Sequence, residues 1–419
     1  MSITPSETSL PQERWSLAHK VGFRLLFVWI MVLLDWSAIP YLGEYIYEAR
    51  TSLTLWFAEL LDIACATDSW TGTGDRTTSY VLLLLSIVLA IGATIVWSIL
   101  DKKRHNYSGI RSWFTIIGRY YLCLVLFVYG FSKILVLQMP PPTLAELATP
   151  YGYNSMGAIA WNFIGASPTY EIFTGILEVV AGLLLLSRRT TFFGSLLAFG
   201  VLINVAAINF CYGIPVKIYS SYLAILAVYL LSKDVLPLWR YLVLRKAITA
   251  PQPESTPPRW SIVVRLAIVA YFFYATGYTQ ATQMSGYLEA RKKPHHRLYG
   301  NYDVLSYTVN GVPFDNSCDL SRWNQFVIGE ASDSLVLSGL IRKGFQDYLP
   351  ISLSICNDST FVVNGDRSLP QDISFHYTMI DSSMIVLDGS SSVLSMKATL
   401  RRSSVVYPYN KYKFRWIIE

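Results

Sequence analysis

Residues 170–187, YEIFTGILEVVAGLLLLS, and residues 118–138, GRYYLCLVLFVYGFSKILVLQ, are each long and apolar enough to cross a membrane, yet one holds Glu178 and the other Lys133. A hydrocarbon core about 30 Å thick takes about 20 residues of helix. A charge inside it costs at least a few kcal/mol unless it is paired, hydrated or neutralised, so such residues mark a functional site by default. The two stretches thus set the class, an α-helical polytopic membrane protein, and the place to look for its chemistry.

The rest of the chain agrees. With 53% hydrophobic and 15% charged residues over 419 positions, it is too apolar for an ordinary soluble protein of this length. Further apolar runs at 22–42, 79–100, 192–212, 216–232 and 260–280 extend the two quoted stretches to about seven spans. Basic residues gather at Arg14, Lys20 and Arg24, at Lys102–Arg104 and Arg111, at Arg188 and Arg189, and from Lys233 to Arg259. The positive-inside rule makes these segments cytoplasmic. The intervening segments hold Glu44, Glu48, Glu59, Asp62, Asp68, Glu146 and Glu171, as expected of the outer side. The expected location is a bacterial inner membrane, with the N-terminus cytoplasmic and the C-terminal domain periplasmic. Arg291, Lys292, Lys293 and Arg297 oppose that orientation and are outweighed by the four earlier clusters. The first apolar stretch reads as a retained anchor, without a small-residue cleavage site. The net charge of +6 is modest and sits beside apolar runs, so the partner it implies is the lipid bilayer and not nucleic acid.

Four segments follow. Residues 1–115 hold the N-terminal spans and, at 43–66, a helix whose apolar positions Ile46, Ala49, Leu53, Phe57, Leu60 and Ala64 suit an interface. Residues 116–235 hold the central spans, and 236–280 a linker, proline-rich at 247–258, and the last span. Residues 281–419 form the last segment, and from about 300 the period changes to two, with Leu305, Tyr307 and Val309, Ile351, Leu353 and Ile355, Ile373, Phe375, Tyr377 and Met379, and Leu394, Met396, Ala398 and Leu400 alternating with polar residues. This predicts antiparallel strands closing into a β-barrel or β-sandwich. Asn310-Gly311, Asn364-Gly365 and Asp388-Gly389 supply candidate hairpin turns.

Candidate chemistry lies on stripes. At 100° per residue, Arg119, Cys123, Gly130 and Lys133 share one helix face, as do Glu171, Thr174, Gly175, Glu178 and Gly182, and as do Gly200, Asn204, Ala207 and Cys211. Glu178 and Asn204 fall near mid-membrane, with Lys133 and Asp35 nearer the outer face, so the four can converge in one bundle. Two readings stand open: a polar pocket in which Glu178 and Lys133 bind or relay protons, or a structural ion pair of Lys133 with Glu178 or Asp35 that fixes helix register. Arg119, at the cytoplasmic boundary, is a ligand candidate or a snorkelling side chain. Lys217 opens a span beside Pro215, where it can bind an anionic group or mark the interface. The loop 71–78, TGTGDRTT, lacks a phosphate-loop ending and reads as a helix entry. The outer loop 139–169 mixes prolines and aromatics, as a pocket mouth or an interfacial belt would. Cys318 and Cys356 are disulfide candidates in an exported domain; Cys65 and Cys211 are a weaker pair. His295 and His296 suit a headgroup contact. No Cys/His spacing supports a metal.

The strings Arg119-Tyr120-Tyr121, Tyr129-Gly130-Phe131-Ser132-Lys133, Gln138-Met139-Pro140 and Gly175-Ile176-Leu177-Glu178-Val179-Val180-Ala181-Gly182, followed by Arg188-Arg189-Thr190, resemble the DoxX-like family over about 115–235. The resemblance implies a four-helix membrane core related to subunits of thiosulfate:quinone oxidoreductases, with a C-terminal exported domain as in a bacterial subgroup. It carries over to Lys133 and Glu178, and less directly to Arg119 and Asn204. Where an acidic residue is expected after Cys211-Tyr212, this chain has Gly213, which removes the obvious partner of Lys217. The function expected is a subunit of a membrane redox system linked to quinone or to thiol and sulfur chemistry. Its cofactor would be a quinone and its partner a periplasmic or membrane redox protein. A non-catalytic anchor for a periplasmic binding domain and a small-molecule transporter are the alternatives.

Overall fold

In a computed structural model of the chain, the described residues are 14–34, 42–65, 74–246, single positions and short runs within 266–289, and 295–314, 322–333, 336–344, 347–365 and 373–404. The chain divides into two compact units, one of Met1–Phe131 with Gly175–Thr276, the other of Ser132–Thr174 with Gly277–Glu419. The stretch Ser132–Thr174, between the third and fourth spans, groups with the C-terminal domain.

The helices are α1 (Leu17–Leu33), α2 (Leu42–Leu60), α3 (Thr77–Leu100), α4 (Ser108–Ile134), α5 (Leu144–Ala148), α6 (Met156–Gly165), α7 (Pro168–Leu186), α8 (Thr191–Cys211) and α9 (Lys217–Leu242). Five are long and apolar enough to span a membrane among the described residues: α3, α4, α7, α8 and α9 as far as Val235. The protein is an integral membrane protein with spanning helices and a β-barrel. Of the seven expected spans, 22–42 is described only as far as Leu34, and most of 260–280 lies outside the described residues.

In the first unit, α4, α7, α8 and α9 share one apolar core with α1, built from Phe23, Ile30, Leu122, Leu126, Ala181, Leu185, Ala198, Leu202, Leu223 and Leu226 among others. Small residues bring the backbones together. A Cβ on Gly130 of α4 would stand 2.9 Å from the Gly175 carbonyl and 2.7 Å from Val179 of α7, and one on Gly194 of α8 would meet the Leu185 amide at 2.9 Å. Between helices in lipid, where burial of apolar surface gives no extra drive, such close packing supplies the cohesion.

The second unit is centred on β1 (Gly300–Val309), β2 (Val312–Pro313), β3 (Trp323–Asp333), β4 (Val336–Lys343), β5 (Asp347–Asn357), β6 (Thr360–Asn364), β7 (Ser374–Met379), β8 (Met384–Ser390) and β9 (Ser395–Arg402). Apart from the two-residue β2, each strand pairs antiparallel with the next, and β1 pairs with β9, closing an eight-stranded barrel. A barrel of eight strands has an interior just wide enough for side chains to fill. Here rings fill it: Tyr307, Trp323, Phe375, Phe361 and Tyr377 follow one another at centroid spacings of 5.7, 5.7, 5.7 and 5.9 Å.

Two expectations about this domain change. Asn310 and Gly311, with φ of 50° and 78°, do form a two-residue turn, but Asp388-Gly389 lies within β8 and makes none. Gly389 is required for packing: a Cβ there would lie 2.5 Å from the Phe375 ring. A bulge between Val304 and Ser306 shifts the phase of β1, so Leu305 faces outward while Val304 and Tyr307 are buried.

Candidate functional site

The segment joining α4 to α7 is built into the barrel unit. α5 packs on β1, β3 and β4, and the Tyr153 ring lies tilted against that of Tyr348 of β5 with centroids 4.7 Å apart. Its start is fixed by a capping box in which Thr143 and Glu146 satisfy each other's backbone amides.

Upstream of α5, α4 ends in an unusual cap. The Leu137 amide donates to the Ser132 carbonyl at 2.8 Å and the Val136 amide to the Lys133 carbonyl at 3.0 Å, the bond pattern of a Schellman motif. Glycine normally occupies the left-handed position of that motif. Here it is Val136, at φ 55°. A β-branched residue in that region is strained, and strain of this kind gathers at functional sites.

The strap that follows, Gln138 to Pro142, meets Glu171 in the first turn of α7. Glu171 Oε1 accepts a 2.9 Å hydrogen bond from the Met139 amide, while Oε2 is buried with no hydrogen-bond partner among the described residues. The side chain is wholly shielded from solvent. Lys133, 7% exposed, lies within electrostatic reach of it. A Cβ on Gly165, the last residue of α6, would fall 2.5 Å from the Pro140 carbonyl and 2.9 Å from that of Met139, so bare backbone holds the strap against the acid. Sequence reasoning put Glu171 at the outer boundary as a topology marker. The signal that could have raised it was its place on the Thr174, Gly175 and Glu178 stripe.

Of the expected site residues, Lys133 and Glu178 are buried as anticipated, the latter at 3% exposure in the helical unit. Arg119 does not snorkel: it is 3% exposed, donates from Nη1 to Thr191 Oγ1 at 3.3 Å and lies 5.0 Å from the Tyr120 ring. Asn204 is exposed and cannot join a convergence inside the bundle. The packing face of α8 runs through Ala198, Leu202, Ala206 and Asn209, and it is Asn209 that is buried, donating to Ser220 Oγ at 3.0 Å. Asp35 lies outside the described residues.

Lys217 finds its anion within the chain. Asp75 Oδ2 accepts from the Lys217 amide at 2.8 Å and from its Nζ at 3.3 Å, and Oδ1 accepts from the Ile218 amide at 3.1 Å. The carboxylate thus caps the N-terminus of α9 and pairs with its first side chain. In the described part of the loop 71–78, Asp75 caps the entry of α9, and Arg76, the N-cap of α3, makes no side-chain cap. At the opposite ends of the helices the structure adds a network that spacing did not suggest. Arg24 is 2% exposed and donates to Tyr107 Oη, to Ser98 Oγ at 2.5 Å and to the Asp101 carbonyl, with the Tyr107 ring 5.0 Å from its guanidinium.

Cys65, Cys211 and Cys356 are free thiols, and Cys318 lies outside the described residues. His295 stacks on Tyr299, and His296 Nδ1 accepts from the Leu298 amide at 3.2 Å, with burial pushing its pKa below the usual histidine range. Among the described residues no group of three or more metal-ligating side chains comes together.

No family model matches the chain, and no solved structure matches it. Over 136 residues it is 35% identical to the uncharacterized protein YwoB of Bacillus subtilis, a stretch covering 86% of that protein. The chain belongs to the YwoB family. The YwoB likeness takes up 32% of this chain, so the greater part lies beyond what it shares with that relative.

Proposed function

We propose that the protein is a DoxX-like integral subunit of a membrane redox system. A small redox molecule of the quinone class exchanges protons with buried ionisable groups of the spanning helices, and the barrel meets a periplasmic or membrane redox partner. The observation that carries this reading is that Arg119, Lys133, Glu171 and Glu178, on two apolar helices, are each 7% exposed or less. Side chains of that kind are costly in a bilayer and mark ligand or proton pathways. The DoxX-like strings around Lys133 and Glu178 favour redox work over other uses.

The expected setting is a bacterial inner membrane with the barrel on the periplasmic side. The four basic clusters support that orientation. Packing of α5 against the barrel strands supports placing the α4–α7 segment and the barrel on one face. That orientation calls for one more crossing after α9, for which the apolar run 260–280 is the sequence candidate.

Glu171→Gln, and Lys133→Met combined with Glu178→Gln, should lower quinone-linked turnover in sealed vesicles by about 100-fold or more, the scale of losing a general acid or base. Lys133→Met also removes the charge that faces Glu171, so thermal unfolding of each variant is measured alongside turnover. The anchor reading draws on the ring-filled barrel, which leaves the barrel's outer surface to do the binding. Under it, both variants keep the cellular phenotype and deletion of 300–419 removes it, an outcome that would sink the redox proposal.

A further inference from the structure

We infer that the end of the helical unit where α3 finishes and α1 and α4 begin is a binding site for an anionic glycerophospholipid, with its headgroup phosphate against Lys20 and Arg104. Over 14–24 and 97–111 the described residues include seven cations and one carboxylate, that of Asp101. This carboxylate is already engaged. Its Oδ2 accepts from Tyr107 Oη at 3.0 Å and pairs with Arg104 at 3.8 Å, and Tyr107 Oη accepts from Arg24 in turn. The excess of positive charge is therefore left for a partner from outside the chain. Lys102, Lys103 and Arg104 are all exposed to meet it.

The positive-inside rule explains why basic residues flank a span, but it does not require them to be held in place. Here they are. The turn at 101–107 is tied to the start of α1, because the Trp15 amide donates to the His105 carbonyl at 3.1 Å and Lys20 Nζ to the Arg104 carbonyl at 3.0 Å. Two buried rings, Trp15 and Tyr107, lie 6.1 Å apart behind that turn. The Arg104 guanidinium sits 5.6 Å from the Tyr107 ring, and that of Arg111 5.8 Å from the Trp15 ring. Cations fixed in advance lose less freedom when a phosphate arrives. The three donors of an ammonium and the five of a guanidinium leave N–H groups of Lys20 and Arg104 to face it. The surroundings select a lipid over a free phosphate ion. At 100° per residue, Leu17 and Val21 share a face of α1 with Lys20, and α3 enters the turn through Ile99 and Leu100; all four apolar side chains are exposed. Charge above apolar surface matches a molecule with a phosphate at one end and acyl chains at the other.

The test is native mass spectrometry of the full-length protein in detergent, titrated with palmitoyl-oleoyl phosphatidylglycerol, with the phosphatidylcholine of the same chains, and with inorganic phosphate. The wild type should bind phosphatidylglycerol about ten-fold or more tightly than phosphatidylcholine, and retain no inorganic phosphate. Lys20→Gln combined with Arg104→Gln should lower the affinity for phosphatidylglycerol by about ten-fold or more while leaving that for phosphatidylcholine unchanged. Lys102→Gln with Lys103→Gln, at two exposed positions that do not tie the turn to α1, should act in the same direction and guards against misfolding of the first pair. Arg188→Gln with Arg189→Gln, in the basic turn between α7 and α8, should leave the preference in place. Equal binding of the two lipids by the wild type would overturn the assignment. So would retention of inorganic phosphate, a preference unchanged in both test variants, or one lost equally in the Arg188 and Arg189 variant.

Discussion

The interior of the helical bundle and the interior of the barrel solve opposite problems. Among the helices, Arg24, Arg119 and Glu178 are buried charges, and close backbone contacts at Gly130, Gly182 and Gly194 supply the cohesion. In the barrel the core is a run of rings around Trp323, Phe361 and Phe375, and the charges are kept mainly to the surface. The difference teaches where each part can act. A barrel filled to its axis by its own side chains works through its outer face, whereas a bundle that spends stability on buried charges is suited to chemistry inside it. The segment from Ser132 to Thr174 joins the two themes, because it packs with the barrel and also carries the buried Lys133 and Glu171.

Three substitutions break or sharpen this contrast. The largest effect is expected from Phe375→Ala, which removes a ring touching both Trp323 and Phe361 and should cost the barrel about 3–5 kcal/mol. Denaturant titration followed by near-ultraviolet circular dichroism should show an earlier barrel transition with helical content retained; simultaneous loss of the helices would mean the two interiors are not separately stabilised. Asp75→Ala should act on the helical unit instead, removing the cap of α9 and the partner of Lys217 at about 1–2 kcal/mol. A thermal shift confined to the helical transition is the expected result, and no shift would show that the clasp is incidental. The smallest effect is Val136→Gly, which relieves a β-branched residue at φ 55° and should stabilise by about 1 kcal/mol. Raised stability with lowered turnover would show that the strain serves the site beside Lys133; raised stability alone would assign it to the helix end.

Much of this was legible in the residues. Spans at α3, α4, α7, α8 and α9 follow from apolar length, and the strands from period-two alternation around Ile351, Phe375 and Met396. Lys133 and Glu178 announced themselves because they interrupt those apolar runs. Glu171 did not, because an acid one turn into a span looks the same in sequence whether it meets headgroups or is sealed by a strap. Asn204 was misplaced by a helical face that is polar in pattern but outward in packing, while Asn209 five residues on is the buried amide.

What the sequence determined by itself was local: helix where apolar length and small-residue stripes demand it, strand where alternation does, and ionisable residues inside the spans. Only the tertiary structure decided the pairings across long separations. Asp75 reaches Lys217, Arg24 reaches Tyr107, β1 meets β9, and the Met139 amide meets Glu171. The physical reason is that periodicity reports which face of an element is buried, whereas a partner is fixed by the three-dimensional path of the backbone, and that path depends on close contacts such as those at Gly130 and Gly165.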